Sequence, residues 1–281
     1  MLTESAAIKA IIVPTNLAVV RIEVIDSGLH EADFEANGYI ETLSIVASDL
    51  HRIPASVANL MNLVQLKIQF SPIKEVRLTT FLGNQNLKIL DLRHNNITYI
   101  IRTDSSECLQ SLQELLLGWN KLKRIVWDEF SPLCQLQIID LSNNGIEVVT
   151  GRFTNTRISA ILLWQNRLQT LDLCQWNVLP YIDSIILLGN QLVNAPECLE
   201  KLPNVQSVNF ARNNLSSVSI ARFSLLDYLD SLNFIGNPIK SFTIDGKVPP
   251  LLESIHFDNS VAENLRNNSL PVSIYKLIKI V

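Results

Sequence analysis

The sequence has little of what marks most enzyme, membrane or zinc-binding classes. Only four of its 281 residues are cysteine, at Cys108, Cys134, Cys174 and Cys198, and no two form a C-x-x-C pair. This number is too small for a disulfide-framework protein of this length, and the missing pair excludes a structural zinc site. Charge is sparse at 18%, the formal net charge is −4, and no Lys/Arg cluster occurs. Nucleic acid and anionic membrane are therefore poor candidates for the partner. No run of 18 apolar residues exists, because Lys9, Pro14 and Asn16 break the longest candidate at residues 8–20. Nothing in the sequence spans a bilayer. The same segment is a poor signal peptide, with Glu4 ahead of it and Pro14 inside it. Nine scattered glycines offer no phosphate-binding loop, so no cofactor is expected.

The sequence does have a period. The pattern L-x-x-L-x-L-x-x-N-x-L fits it eleven times, beginning at Val19, Ile40, Leu63, Leu87, Leu112, Leu136, Ile158, Ile182, Val205, Leu229 and Leu252. Successive copies are 21 to 25 residues apart. Positions four and six are apolar and alternate with polar residues, which puts them on one face of a short strand. Such a strand must stack on a neighbour of its own kind, and the next copy supplies it. The period predicts a solenoid with one parallel strand per coil.

Position nine is Asn in seven consecutive copies: Asn95, Asn120, Asn144, Asn166, Asn190, Asn213 and Asn237. Where the chain leaves the strand, its backbone groups lose ladder partners while staying buried. A carboxamide both donates and accepts, so a ladder of them satisfies those groups from coil to coil. Ser27, Ser48, Ser71 and Ser260 occupy the position in the flanking copies. A catalytic role for a period-locked residue is rejected. Phe81, Phe130, Trp176, Phe223 and Phe153 recur near position 18 and read as core plugs.

These residues resemble the leucine-rich-repeat family over residues 19–262, with 1–18 as an N-terminal flank or cap and 263–281 as a C-terminal flank. The abrupt apolar ending, residues 276–281, hints at truncation. The resemblance implies an α/β leucine-rich-repeat solenoid, a horseshoe of about eleven repeats with a parallel β-sheet on its concave face. Repeats rich in Asn and plugged by Phe are similar to secreted insect leucine-rich immune proteins, the mosquito group that partners complement-like thioester proteins. Extracellular members carry cysteine-rich caps, whereas this chain has no cysteine before Cys108 or after Cys198. An intracellular leucine-rich-repeat adaptor, such as a phosphatase-regulatory subunit, is the alternative.

In such a strand, positions three, five, seven and eight look outward. They are mostly polar or small, but in repeats five to eight Leu116, Trp119, Leu162, Trp164, Ile186 and Leu188 fall close together. Parallel strands about 4.8 Å apart would gather these six into an apolar patch of a size that marks interaction sites. Asp91, Arg93, His94, Glu114 and Arg212 would form its rim. The patch is read as partner-binding, with Arg93 and His94 among the contact residues. The candidate occupants are a protein partner or a homodimer mate; a covering loop would leave the patch without function.

Other constellations carry less. His30, His51, His94 and His256 lie in four repeats and are read as too far apart to share a metal, so no metal site is expected. No nucleophile stands beside His94 and Asp91, and an enzyme is not expected. Sequons begin at Asn96, Asn214 and Asn267. In a chain this rich in asparagine they permit glycosylation and secretion without showing either. Cys174 and Cys198 lie 16 residues into successive repeats. Free buried thiols are the favoured reading and a disulfide the alternative. Cys108 and Cys134 fall in different phases and read as core-lining or surface thiols.

Overall fold

The computed structural model describes residues 10–26, 28–101, 108–261 and 271–281. It comprises two compact units, residues 1–122 with 129–140 and residues 123–128 with 141–281. Each is a stack of coils with one parallel strand per coil.

In the first unit the strands are Arg21–Ile25, Thr42–Val46, Gln65–Gln69, Ile89–Asp91, Glu114–Leu116 and Ile138–Asp140. Their register follows the repeat without slippage: Ser44 faces Lys67, Lys67 faces Asp91, Asp91 faces Leu116, and Leu116 faces Asp140. On the other side of the coils, Ala10–Val13 pairs with Glu31–Phe34 and Glu75–Arg77 with Tyr99–Ile101. In the second unit the strands are Ala160–Leu162, Ser184–Ile186, Ser207–Asn209, Ser231–Asn233, Ser254–Phe257 and Ile278–Ile280. The last of these lies in the C-terminal flank and pairs with its predecessor, Ile255 against Ile278. The returning half of several coils is a single 3-10 turn, as at Leu78–Phe81 and Ile220–Phe223.

The period explains the core. Leu63, Leu66, Ile68 and Ile73, at positions one, four, six and eleven of one repeat, are fully buried, and so are their counterparts Leu87, Leu90, Leu92 and Ile97. Each such side chain contributes roughly 2 kcal/mol of burial. Phe81 and Phe130 are buried in the first unit, and Phe153, Trp176 and Phe223 in the second, as core plugs should be. The second unit adds aromatic packing of its own. Phenylalanines replace leucine at position six in three successive repeats, and Phe210, Phe234 and Phe257 stack at 5.4 and 5.5 Å. Trp127 packs on Phe153 and Trp176.

The asparagine ladder has one repeating geometry. The Asn95 amide donates to the carbonyl of Ile68 in the preceding coil and to Leu92 in its own, and its oxygen accepts from Ser71 N–H. In the second unit the Asn190 amide donates to Leu163 and Leu187 while its oxygen accepts from Leu168 N–H. Asn213 and Asn237 repeat the pattern. Upstream the ladder passes into hydroxyls, with Ser48 and Ser71 2.8 Å apart. Ser27 lies outside the described residues.

The cysteine expectation is overturned. Cys108 is bonded to Cys134 in the first unit and Cys174 to Cys198 in the second, and none is free. Their separations of 26 and 24 residues are each one coil, so stacking brings the Cα atoms to 6.0 and 5.0 Å. The phase mismatch between Cys108 and Cys134 misled the reading because loop length varies between coils. Only the strand side of a repeat keeps a fixed phase.

Candidate functional site

The surface available to a partner is the solvent-facing side of each sheet, and position eight of the repeat shapes its border. In the first unit Asp26, Ala47, Phe70, His94 and Trp119 have φ between 46 and 58°. In the second, Asn143, Gln165, Gly189, Arg212 and Gly236 have φ between 49 and 76°. The strand ends here because a left-handed residue turns the chain so that the following side chain, the ladder asparagine, points inward. For residues other than glycine this conformation costs about 1 kcal/mol or more.

In the first unit three of these positions carry rings. Phe70 stacks on His94 with centroids 4.5 Å apart and planes 12° apart, and His94 stacks on Trp119 at 5.3 Å and 17°. The stack is not covered: Phe70 is 55% and Trp119 51% exposed. Phe70, which sequence reasoning missed, shares position eight with His94 and Trp119, and that common position is the sequence signal of the ladder.

Beside the ladder a fixed ion pair is set into the sheet. The Arg93 guanidinium donates from Nε to Asp91 Oδ1 at 3.0 Å and from Nη2 to Oδ2 at 2.8 Å. Gln69 Nε2 donates to both carboxylate oxygens at 2.9 Å. Asp91 is not a rim residue but a buried anchor, 4% exposed. Burial pushes its pKa up, but the hydrogen bonds from Arg93 and Gln69 outweigh that and hold it below the usual carboxylate value. Arg93 is pushed up, first by its hydrogen bonds to Asp91 and against its own burial, with the charges of Asp91, Asp140 and Glu114 adding to the effect. The outer edge of Arg93 is thereby presented in one orientation.

The six apolar residues singled out in the sequence divide between the units. Leu116 is half-buried on its strand and Trp119 is exposed on the bend, both in the first unit. Leu162, Trp164, Ile186 and Leu188 are half-buried on adjacent coils of the second, with Leu162 in register with Ile186. Asn214 is exposed and Asn96 half-buried. Asn267 lies outside the described residues.

Sequence reasoning also missed a second set of asparagines, three residues before a repeat begins. Asn37 donates to Pro14 and Leu17 carbonyls, and Asn84 to Val57 and Leu60. They close the loop side of the coil, where no strand pattern betrays them. His30 and His51 line one cavity with Asp33 and Arg52 in the first unit. His30 there faces Asp49 at 3.7 Å. Among the described residues the close set of donor atoms is Asp172 with Cys174 and Cys198, and both sulfurs are spent in the disulfide.

Comparison with known proteins agrees with this architecture. Residues 61–122 match the family model described as Leucine rich repeat. The chain is 32% identical over 113 residues to the leucine-rich repeat-containing G-protein coupled receptor 5 of Rattus norvegicus, covering 40% of this chain. The match spans 12% of that receptor's length. Among solved structures, the leucine-rich repeat domain of APL1B aligns with a TM-score of 0.62 at 18% identity, covering 98% of this chain and 87% of that one. A chain of the LRIM1/APL1C complex aligns with a TM-score of 0.52 at 18% identity, covering 92% and 58%. Eleven copies of the motif, their parallel register and their asparagine ladder now stand beside those matches: the chain has the fold of the APL1B leucine-rich repeat domain, and its residues 61–122 carry the matching repeat sequence.

Proposed function

We propose that the chain is a secreted, non-enzymatic recognition module of innate immunity that binds a protein through the solvent-facing side of its sheet. The observation that carries the reading is the Phe70–His94–Trp119 ladder. Three bulky residues in a row occupy a backbone conformation that disfavours them, and two remain about half exposed. The fold demands the left-handed bend but not bulky rings on it, since Gly189 and Gly236 serve at the same position, and exposed tryptophan is a frequent binding anchor. The preoriented Arg93 adds a directional contact. Leu162, Trp164, Ile186 and Leu188 give the second unit an apolar strip of its own.

Two disulfides support an oxidising compartment and weigh against the intracellular adaptor. The exposed sequon at Asn214 is compatible with secretion, and the half-buried one at Asn96 is the weaker glycan site. The likeness in fold to a chain of the LRIM1/APL1C complex supports a protein as the partner. Resemblance to the insect immune group offers a complement-like thioester protein, or a second copy of this chain, as its identity.

The test is capture of the partner from extracellular fluid by wild type and by two double variants, Phe70→Ser with Trp119→Ser and Trp164→Ser with Leu188→Ser. An anchor of this kind is worth about 2 kcal/mol or more, so the first pair should weaken binding more than tenfold while the melting temperature holds. Undiminished capture by both variants would refute the sheet face as the binding site. Sedimentation of the purified chain decides whether the partner is a second copy.

A further inference from the structure

The ladder ends asymmetrically. Position eight of the first unit runs Asp26, Ala47, Phe70, His94, Trp119, and backbone hydrogen bonds fix neighbouring coils to one another. Asp26 N–H donates to Val46, Ala47 N–H to Gln69, and Phe70 N–H to His94, at 2.8 to 3.0 Å. Phe70 spends one ring face on His94. Its other face has no ring partner among the described residues, Ala47 holds the same position one coil upstream, and the ring is 55% exposed. One coil beyond lies the exposed Asp26, whose carboxylate has no hydrogen-bond or ion-pair partner among the described residues. With coils about 4.8 Å apart, Phe70 and Asp26 stand roughly 10 Å apart along the stack with Ala47 between them.

That gap has a chemistry. An aromatic face attracts a cation, and a carboxylate pairs with it from the other side. Positions seven to ten of the first three repeats contain no Lys or Arg and two acids, Asp26 and Asp49. An anion would be repelled there and a neutral group would gain little. A guanidinium suits the place better than an ammonium, because its flat face packs against the ring and its spread of five N–H donors can reach acceptors at the edge of the gap.

We infer that the gap over Ala47 takes an arginine side chain of the protein partner, held between the Phe70 ring and the Asp26 carboxylate. The inference rests on the sheet face being the binding surface and specifies what that surface recognises at one end. The probe is the capped tripeptide acetyl-Gly-Arg-Gly-amide, titrated into the whole chain while the Ala47 methyl and Phe70 ring resonances are followed by NMR. Saturable shifts are expected, at least tenfold weaker for the counterpart in which citrulline, neutral and nearly isosteric, replaces arginine. Asp26→Asn and Phe70→Leu should each weaken the arginine response several-fold, and Ala47→Leu should block it. Trp119→Ser, two coils beyond Phe70, should leave the tripeptide response intact while lowering partner capture. Equal shifts for the arginine and citrulline peptides would overturn the inference, as would responses indifferent to Asp26→Asn and Phe70→Leu. Partner capture that survives Asp26→Asn and Ala47→Leu yet falls with Trp119→Ser would overturn the arginine gap alone. Capture unaffected by any of these variants would count against the binding face as well.

Discussion

The side-chain amide of Asn120 reaches back across one coil to donate to the Leu92 carbonyl at 2.9 Å, while its oxygen accepts from the N–H of Ile97 at 3.0 Å. Both partners are backbone groups of a fully buried bend, so neither can turn to water. Asn120→Ala should therefore orphan the Ile97 N–H, while the Leu92 carbonyl keeps its bond from Asn95, and lower stability by about 1 to 3 kcal/mol. Asn86 is exposed and serves as the control; Asn86→Ala should cost about 0.5 kcal/mol or less. Urea denaturation of the two variants makes the comparison, and equal midpoints would refute the ladder as a source of stability.

The two disulfides make a second prediction. Each closes about one coil, and cross-linking a loop of 24 residues restricts the unfolded chain by about 3 kcal/mol. Cys174→Ser with Cys198→Ser should lose that much stability. Peptide mapping without reductant should recover Cys108 linked to Cys134 and Cys174 linked to Cys198. A free thiol at any of the four positions would contradict the pairing and weaken the case for secretion.

Strand, core and ladder were legible because they share one fixed phase. Leu90 and Asn95 occupy positions four and nine of their repeat, and the same chemistry recurs 25 residues later at Leu115 and Asn120. What lies on the loop side was not legible, because insertions there change the count. Cys108 and Cys134 are four and two residues before their next repeats and yet are bonded. Asn37 and Asn84 do keep one offset, three residues before a repeat, but no apolar alternation marks that side of the coil. The candidate site was legible in part: Trp119, His94 and Arg93 were singled out, and Phe70 was not. Most residues at position eight do not favour a left-handed φ, so the strain there appears only in three dimensions. Gly189 and Gly236 were its one sequence trace, and the rings that share their position hid it.

Acid should reveal the Asp91 anchor. Its folded pKa lies below the ordinary carboxylate value because Arg93 and Gln69 outweigh burial. A depressed folded pKa contributes stability that is present above the unfolded value, about 3.9, and is lost as pH falls through the folded one. Wild type should therefore lose stability below about pH 4 more steeply than Asp91→Asn, which has no charge to protonate. At neutral pH the order reverses, because Asp91→Asn leaves Arg93 without its counter-ion. Parallel acid dependence in the two proteins would show that the carboxylate is not held ionised by these partners.

Glycine supplies the last test, through a pair of substitutions expected to act in opposite directions. Gly236 has φ of +76°, and an added Cβ would sit 3.1 to 3.2 Å from Arg212, including its backbone nitrogen and Cα. Those backbone atoms are tied into the sheet, Arg212 N–H donating to Ile235 at 2.7 Å, and cannot move aside. Gly236→Ala should cost about 1 to 2 kcal/mol, chiefly from the left-handed backbone. Gly38 has no left-handed φ, and an added Cβ would meet nothing nearer than 3.9 Å. Gly38→Ala should instead raise stability by about 0.5 kcal/mol, because alanine restricts the unfolded chain. Thermal unfolding of the two variants reads the difference directly. Were Gly236→Ala as stable as wild type, position eight would not constrain the turn, and the rings at Phe70, His94 and Trp119 would carry no strain that calls for a function.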